Sequence, residues 1–219
     1  MTEGPVTEGP VTAEPVGRGR RPRRSAAERR AEILAAARVL FAERGFHATT
    51  TRELAAAADI NDALLYRYFA DKEEILAGLM DQAVSVFQAL PKPPADGSAL
   101  PLDLLLQFIG EGFVQAARAN LDLLTIMISE HRTLAGDTRF VEFIDRAATD
   151  LGALIDGRGG EAGQGYLSAR AYFGSLVSFL LLQDVLGLDR IRPLDAAEYV
   201  RHLARSTARA INTEPRQAD

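Results

Sequence analysis

The chain has 219 residues, of which 47% are hydrophobic and 25% charged, and it contains no cysteine. This is the composition of an ordinary soluble protein, and the lack of cysteine excludes disulfide frameworks, thiolate metal sites and cysteine nucleophiles. The formal net charge is −5, but residues 18–75 hold 12 basic against 9 acidic residues, whereas residues 76–219 hold 13 against 18. A basic segment on an acidic body indicates a molecule that presents one side to an anionic partner such as a nucleic acid.

The first 24 residues are predicted to be a disordered tail that ends in a basic arm. Residues 1–17 repeat the pentapeptide TEGPV and are rich in Pro, Gly and Glu, so they offer little apolar surface to bury. They also lack the apolar stretch of a secretory signal. Residues 18–24, RGRRPRR, come next, and we expect them to lie along a nucleic-acid duplex. The alternative is a solvated tail that only aids solubility. The arm residues singled out are Arg20, Arg21, Arg23 and Arg24.

The first predicted helix begins at Ser25, where Glu28, three residues later, completes a capping box. Gly45 is predicted to end it in a left-handed C-cap conformation. Four apolar residues at helical spacing give the helix one buried face: Ile33, Ala37, Leu40 and Phe41. This helix is interpreted as a brace for the two short helices after it.

The next stretch, TTTRELAAAADINDALLYRYFADKEEI, is predicted to form two short helices around a tight turn and the start of a third. Thr50 with Glu53 and Asp71 with Glu74 form capping boxes, and Asn61 caps the helix between them. Two short helices joined by a turn of three to four residues are the layout of a DNA-reading helix-turn-helix.

This stretch resembles the N-terminal domain of the TetR family of bacterial transcriptional regulators, over about residues 30–79. The matching residues are Phe41, Gly45-Phe46, Thr49-Thr50, Glu53-Leu54-Ala55, Ile60, Leu65-Tyr66, Tyr68-Phe69 and Lys72-Glu73. The resemblance implies an all-α protein, in which a three-helix DNA-binding domain is joined by a fourth helix to a C-terminal ligand-binding and dimerisation bundle. Asp59 departs from the usual Gly, and Asp62 and Leu64 replace residues that are often basic or small and polar. The operator sequence is therefore not predictable.

Three residues of the second short helix are predicted to face DNA. Leu65 and Phe69 share its inner face, which turns Ala63, Tyr66 and Arg67 outward. We expect Arg67 to read guanine N7 and O6 through a bidentate contact. Tyr66 resembles the family tyrosine that touches phosphate or base.

Other DNA-binding candidates lie where hydroxyl, amide and ammonium groups at helix N-termini can hold phosphate. They are Thr49, Thr50, Asn61 and Lys72. Tyr68 is either a further contact or packing around the turn. Asp62 would repel phosphate, unless it accepts from cytosine N4 or only complements the helix dipole.

A long fourth helix is predicted from Lys72 to Leu90, and a Pro-rich break is predicted at 91–101. The remaining helices are predicted at about 102–118, 121–134, 138–156, 166–186 and 194–212, with Pro193 at the first position of the last. Residues 171–182 are apolar almost all round but shorter than the ~20 residues that span a bilayer. We therefore predict a buried helix there and no membrane partner.

The C-terminal bundle is predicted to enclose an apolar cavity for a small-molecule effector. Its candidate ligand-binding residues are Phe87, Phe108, Phe113, Met127, His131, Tyr172 and Phe173. Sequence alone does not separate the wall of a cavity from the core. Glu130, His131 and Arg132 form the most polar cluster within an apolar helical pattern, and they either face the cavity or lie at the surface in ion pairs.

Motifs for catalysis are lacking in the sequence. Its three histidines form no Glu-x-x-His pair of a di-iron bundle, no Gly-x-Ser-x-Gly elbow occurs, and the glycine-rich segment 157–165 lacks the ending of a phosphate loop. We predict no catalytic residues, no metal and no cofactor.

The sequence thus predicts a cytoplasmic homodimeric regulator that binds a palindromic double-stranded DNA operator. The resemblance implies a repressor that a small apolar or amphipathic ligand releases from this operator, with activation as an alternative. The predicted parts of the chain are a tail with a basic arm (1–24), a DNA-binding domain (25–75), a ligand-binding and dimerisation domain (76–212) and a flexible C-terminal tail (213–219). The helices at 166–186 and 194–212 are the predicted dimer interface. The alternatives are a dimeric DNA-binding protein without an effector, and a helical enzyme or carrier.

Overall fold

The structure is a computed structural model that describes residues 24–90, 100–158 and 163–213, and every regular element in these ranges is helical. The α-helices are α1 (Ala26–Arg44), α2 (Thr51–Ala57), α3 (Asp62–Leu65), α4 (Lys72–Gln88), α5 (Leu102–Ala119), α6 (Leu121–Ser129), α7 (Arg139–Asp156), α8 (Gly165–Leu180) and α9 (Ala196–Thr213). A π-helical segment, Leu181–Val185, extends α8, and a 3₁₀ turn, Leu188–Arg190, comes after it. The all-α fold class is confirmed.

Two predicted regions fall partly or wholly outside these ranges. The tail at 1–17 and the arm residues Arg20, Arg21 and Arg23 lie outside the described residues, as do residues 214–219. Arg24 is described, and its guanidinium pairs at the surface with the carboxylate of Glu32.

The first four helices begin at polar side chains, as their sequences predict. Ser25 and Thr50 each form a complete capping box, with Glu28 and Glu53 respectively. Asn61 accepts from the amide of Leu64 at 2.8 Å. These bonds satisfy amides that a helix leaves unpaired at its start.

Two predicted details of helix ends are wrong. Glu74 does not close a capping box with Asp71, because its carboxylate accepts from the amide of Ala70 at 2.7 Å instead. Gly45 ends α1 with φ of 81° and ψ of 159°, a positive φ that favours glycine but an extended rather than left-handed helical conformation.

The helices pack around two hydrophobic cores. The first core joins α1, α2, α3 and α4 as far as Ala83, and it includes Leu123 and Ile126 of α6. The predicted boundary after Ile75 therefore falls inside one continuous helix and one continuous core. The second core joins α5, α7, α8 and α9. Helices α4 and α6 thus belong to the first core while bordering the second.

Two helix ends in the second half of the chain differ from the predicted bounds. Helix α6 ends at Ser129 rather than near 134, and turns continue to Gly136. Helix α9 begins at Ala196, where Asp195 accepts from the amide of Glu198 at 2.8 Å, so Pro193 lies before the helix and not at its first position.

Helix α8 with its π-helical extension is, in the described part of the chain, the one helix long and apolar enough to cross a membrane by length and composition. The core helix of a soluble protein passes the same test, so this is weak evidence for a span. One side of the helix packs into the second core, through Ala169, Tyr172 and Leu176 among others. Its opposite side is exposed, so the helix is buried on one face only.

Candidate DNA-binding surface and ligand cavity

The turn between α2 and α3 holds the two short helices in a fixed relation. Asp59 has φ of 54°, the only positive value at a non-glycine residue in the described ranges. Aspartate tolerates this conformation better than most residues. Leu54 and Leu65, one from each helix, are fully buried in the first core. The turn and this shared core therefore fix the direction in which α3 points.

The outer face of α3 is presented to solvent. Ala63, Tyr66 and Arg67 are all exposed, and Tyr66 retains 52% of its accessible surface. The Tyr66 hydroxyl donates to Thr51 Oγ1 over 3.3 Å. The guanidinium of Arg67 makes no hydrogen bond or ion pair with any other described residue, so its donors stay available to a partner. The structure brings together the residues predicted to face DNA.

Two of the predicted phosphate contacts have internal partners. Thr49 is buried, and its hydroxyl donates to the carbonyl of Gly45 at 2.9 Å. The Lys72 ammonium donates to the carbonyls of Phe46 and Thr49, at 2.7 and 2.9 Å, and lies 4.2 Å from the centre of the Phe46 ring. These two side chains hold the loop between α1 and α2 rather than projecting outward as predicted.

Thr50 and Asn61 are exposed but already serve as caps. The Thr50 hydroxyl donates to the carboxylate of Glu53 at 2.8 Å, and Asn61 uses its carbonyl oxygen for the Leu64 amide. The Asn61 amide group keeps its two donors for phosphate.

Tyr68 is half-buried and packs against the first core, which favours the packing alternative for its ring. Its carbonyl accepts from the guanidinium of Arg30 at 2.7 Å. That guanidinium lies 4.0 Å from the centre of the Phe69 ring and also pairs with Glu74. Arg30 therefore fixes the segment just after α3. Sequence reasoning missed it, because Arg30 and Tyr68 are 38 positions apart.

A cavity of about 1380 Å³ lies between α4, α5, α6, α7 and α8. Phenylalanine rings form a row along its wall. The Phe87 ring stacks on Phe113 with centroids 5.1 Å apart and on Phe143 at 6.1 Å. The ring centroids of Phe113 and Phe173 are 5.9 Å apart, and those of Phe143 and Phe140 are 6.4 Å apart. An apolar wall of this kind favours an apolar or amphipathic ligand.

The predicted cavity residues are placed on this wall with one exception. Those that line it are Phe87, Phe108, Phe113, Met127, His131 and Phe173. Tyr172 instead points into the second core, 1% exposed, with its hydroxyl donating to the carbonyl of Leu106 at 2.6 Å. Burial, with a smaller contribution from Glu111, raises the pKa of this hydroxyl far above its usual value. Tyr172 is thus a core residue.

A few polar side chains also reach the cavity. Arg146, Asp150 and Arg170 are exposed residues of α7 and α8 that line it, and His131 binds the carbonyl of Ile128 through Nδ1 at 3.0 Å. Across residues 24–90, 100–158 and 163–213, no three His, Cys, Asp or Glu side chains lie close enough to hold a metal ion together. The cavity has the character of a binding site for an organic molecule.

The outer side of α8 and the turn after it expose apolar residues. The small residues Gly174, which also borders the cavity, and Ser178 lie between the exposed Leu167 of α8 and Leu182 of the π-helical segment. Beyond the π-helical segment, the most exposed apolar side chains are Leu186 at 68% and Ile191 at 83%. The exposed side of α9 is polar by contrast. A contiguous apolar surface of this kind is typical of a protein interface.

Comparison with known proteins places the first four helices in a described family. The model of the family "Bacterial regulatory proteins, tetR family" matches residues 33–79. The HTH-type transcriptional repressor KstR2 of Mycobacterium tuberculosis is 35% identical over 118 residues, which are 54% of this chain and 58% of KstR2. The chain therefore matches somewhat more than half the length of this curated relative.

Two solved structures share the fold over about four fifths of this chain. The fatty acid degradation regulator FadR from Bacillus halodurans superimposes with a TM-score of 0.64 at 19% identity, over 82% of this chain and 94% of FadR. The structure of AibR in complex with isovaleryl coenzyme A and operator DNA gives a TM-score of 0.62 at 19% identity, over 81% of this chain and 97% of AibR. At this identity the likeness establishes the fold alone. The match to residues 33–79 shows that the N-terminal domain of this chain is that of the TetR family of bacterial regulatory proteins.

Proposed function

We propose that the protein is a homodimeric transcriptional repressor, which binds a palindromic DNA operator through α3 and leaves it when a small apolar or amphipathic molecule fills the cavity. The observation that carries this proposal is the outer face of α3. Tyr66 and Arg67 are exposed there, while Leu65 beneath them is fully buried. A rigid helix that offers a free guanidinium is suited to base edges in a major groove.

Relatives support each half of this proposal. KstR2 is a transcriptional repressor by name, and AibR was solved with both operator DNA and a coenzyme A thioester. A fold like that of this chain therefore offers sites for both a DNA operator and an amphipathic ligand. Proteins of this family are regulators, and we infer that this chain likewise acts in the cytoplasm without catalysing a reaction.

The dimer is supported by the exposed apolar surface of α8 and the turn after it. A single recognition helix reads few bases, and two of them, about 34 Å apart, read a palindrome on one face of the duplex. Gly174 and Ser178 would let a second copy of α8 approach closely. Because the exposed side of α9 is polar, we expect α9 to contribute less to the dimer interface than the sequence analysis predicts.

The proposal that the protein binds an effector is supported by the cavity and its row of phenylalanine rings. A cavity of this volume has room for a drug-sized ligand. The alternative is a dimeric DNA-binding protein without an effector, whose helices would have no need to leave such a space. A thermal-shift screen of apolar and amphipathic compounds separates the two, since an effector must stabilise the protein and also weaken operator binding.

Selection of bound sites from random DNA duplexes tests the role of α3. We expect a palindromic consensus from the parent protein. Arg67→Ala should lower the discrimination at one base position in each half-site by ~1–3 kcal/mol, because one bidentate contact is lost. Arg201→Ala, which removes the same charge from the exposed side of α9, should leave the consensus unchanged. An Arg67→Ala protein with the parent's consensus would refute base reading by Arg67.

Analytical ultracentrifugation tests the dimer interface. Leu186→Glu places a charge at a residue that is 68% exposed in the single chain, and it should yield monomers with much weakened operator binding, since an unpaired charge at an interface is costly. Val141→Glu is the matched control, because Val141 is similarly exposed at 65% but belongs to another helix, α7. Dimers that survive Leu186→Glu would place the interface elsewhere.

A further inference from the structure

Helix α6 separates the cavity from the DNA-binding helices and touches both. Leu123 and Ile126 are buried in the first core. Leu124, Met127 and Ile128 line the cavity. The beginning of α6 is held by an ion pair between Asp122 and Arg38 of α1. A movement of α6 at the cavity wall therefore displaces the DNA-binding helices that pack against it and hold α3.

Glu130, immediately after α6, is one of three buried polar residues in the described ranges. Its side chain is only 9% exposed. One carboxylate oxygen accepts from the amide of Phe46 at 3.2 Å. The other lies 3.7 Å from His47 Nε2 and 3.5 Å from the Thr133 hydroxyl. Burying a carboxylate is unfavourable unless such bonds offset the cost. The buried position of the Glu130 side chain therefore depends on its bond to the loop between α1 and α2.

Phe46 connects Glu130 to the start of α4. The ring of Phe46 lies beneath the Lys72 ammonium, and its carbonyl accepts a hydrogen bond from the same group at 2.7 Å. Lys72 opens α4 and comes only a few residues after the recognition helix α3. The amide of Phe46 thus binds the end of α6, while its carbonyl binds the beginning of α4.

We propose that Glu130 is the positioning residue through which occupancy of the cavity changes the orientation of α3. The inference rests on the proposed function and names the route of its regulation. Met127, three residues before Glu130, and His131, the next residue, both line the cavity. A molecule that displaces these two neighbours draws the Glu130 carboxylate away from the Phe46 amide. The loop then shifts, and Lys72 with the end of α3 shifts with it.

The chain allows a test that does not require the natural effector. Since it contains no cysteine, Gln115→Cys creates a single labelling site on α5, at an exposed residue that lines the cavity. Alkylation with naphthyl maleimide gives an occupant tethered to α5 in the cavity. Operator affinity of the full-length dimer is then measured with and without the label, on a duplex obtained by selection.

We expect the label to weaken operator binding by about 5- to 150-fold, the usual range for coupling between two sites. In a Glu130→Ala background the labelled and unlabelled proteins should bind within about twofold of each other, because the contact that the label breaks is already absent. Glu130→Gln keeps an oxygen that accepts from the Phe46 amide, and should retain most of the response. Glu198→Ala removes an exposed carboxylate of α9 that lies outside the cavity, and should leave the response unchanged.

Amide hydrogen exchange at Phe46 provides a second readout that general loss of stability would not imitate. Protection of this amide should fall in Glu130→Ala and in the labelled parent, while amides in the middle of α1 stay protected. A label response that persists in Glu130→Ala, a label without effect on the parent, or unaltered Phe46 exchange would overturn the inference. If the unlabelled parent selects no duplex, the proposed function itself fails.

Discussion

The DNA-binding helices and the cavity-bearing helices are specified in different ways. Each of α1 to α4 begins at a side chain that caps it. None of α5 to α8 has a side-chain cap, and packing in the hydrophobic cores, the first for α6 and the second for the others, determines where they lie. A reader of DNA must hold a few side chains rigidly, whereas a sensor must adapt its wall to a ligand. The distribution of caps matches that division of labour.

Truncating one phenylalanine in each region should show the difference between the two regions most clearly. Phe69 is fully buried beneath the Arg30 guanidinium, so Phe69→Ala should lower the free energy of unfolding by ~3–5 kcal/mol and abolish operator binding. Phe113 is half-buried and lines the cavity, so Phe113→Ala should cost roughly 1–2 kcal/mol, nearer the usual value for point mutants. Denaturant unfolding of both variants measures the difference. Equal losses would mean that the cavity wall is packed as tightly as the first core.

Removing a threonine hydroxyl at the start of a helix should sharpen the contrast in caps. Thr50→Ala removes the cap of α2 and should lower the free energy of unfolding by ~1 kcal/mol. Thr138→Ala precedes α7, where the hydroxyl caps no backbone amide, and it should change stability by less than about 0.5 kcal/mol. Thermal unfolding of the pair is the measurement. A larger loss at Thr138 would contradict the proposed division.

The ion pair that joins the two regions should give the smallest effect, and one that depends on pH. Partial burial opposes ionisation of Asp122, but the hydrogen bond from Arg38, hydrogen bonds from backbone amides and the charge of Arg38 together outweigh it and lower its pKa. A lowered pKa in the folded state stabilises the fold above the ordinary aspartate value, and this stabilisation is lost as pH falls through the folded value. Asp122→Asn should therefore cost less than about 1 kcal/mol at pH 7, given the exposure of the pair. Denaturant unfolding across a pH series measures this cost, and the difference from the parent should shrink below about pH 4.

Features that depend on neighbouring residues were predictable from sequence, and features that depend on distant ones were not. The caps at Ser25, Thr50 and Asn61 each bond to an amide only three positions further on. The bonds from Lys72 to Phe46 and from Phe46 to Glu130 span 26 and 84 positions. No periodicity reveals such pairs, although the polar cluster at Glu130 was visible as an interruption of an apolar pattern.

The cavity shows the same limit at the level of single side chains. Helical spacing correctly brought Phe87, Phe113 and Phe173 to one interior. It did not separate Tyr172 from its neighbour Phe173, because consecutive residues differ by about 100° around the axis and either one fits an interior position. The volume of the cavity depends on the spacing between five helices. No pattern in the sequence reveals that spacing.

The π-helical turn at Leu181–Val185 has a consequence for the register of the exposed apolar surface. In this turn the amide of Leu186 bonds to the carbonyl of Leu181, five residues back, and such a turn amounts to one extra residue in an α-helix. If the same residues were wound as an ordinary α-helix, everything beyond them would be rotated by about 100°. Leu186 and Ile191 would then point in a different direction relative to Gly174 and Ser178. The π-helical turn thus sets the direction in which the exposed apolar side chains beyond α8 are presented.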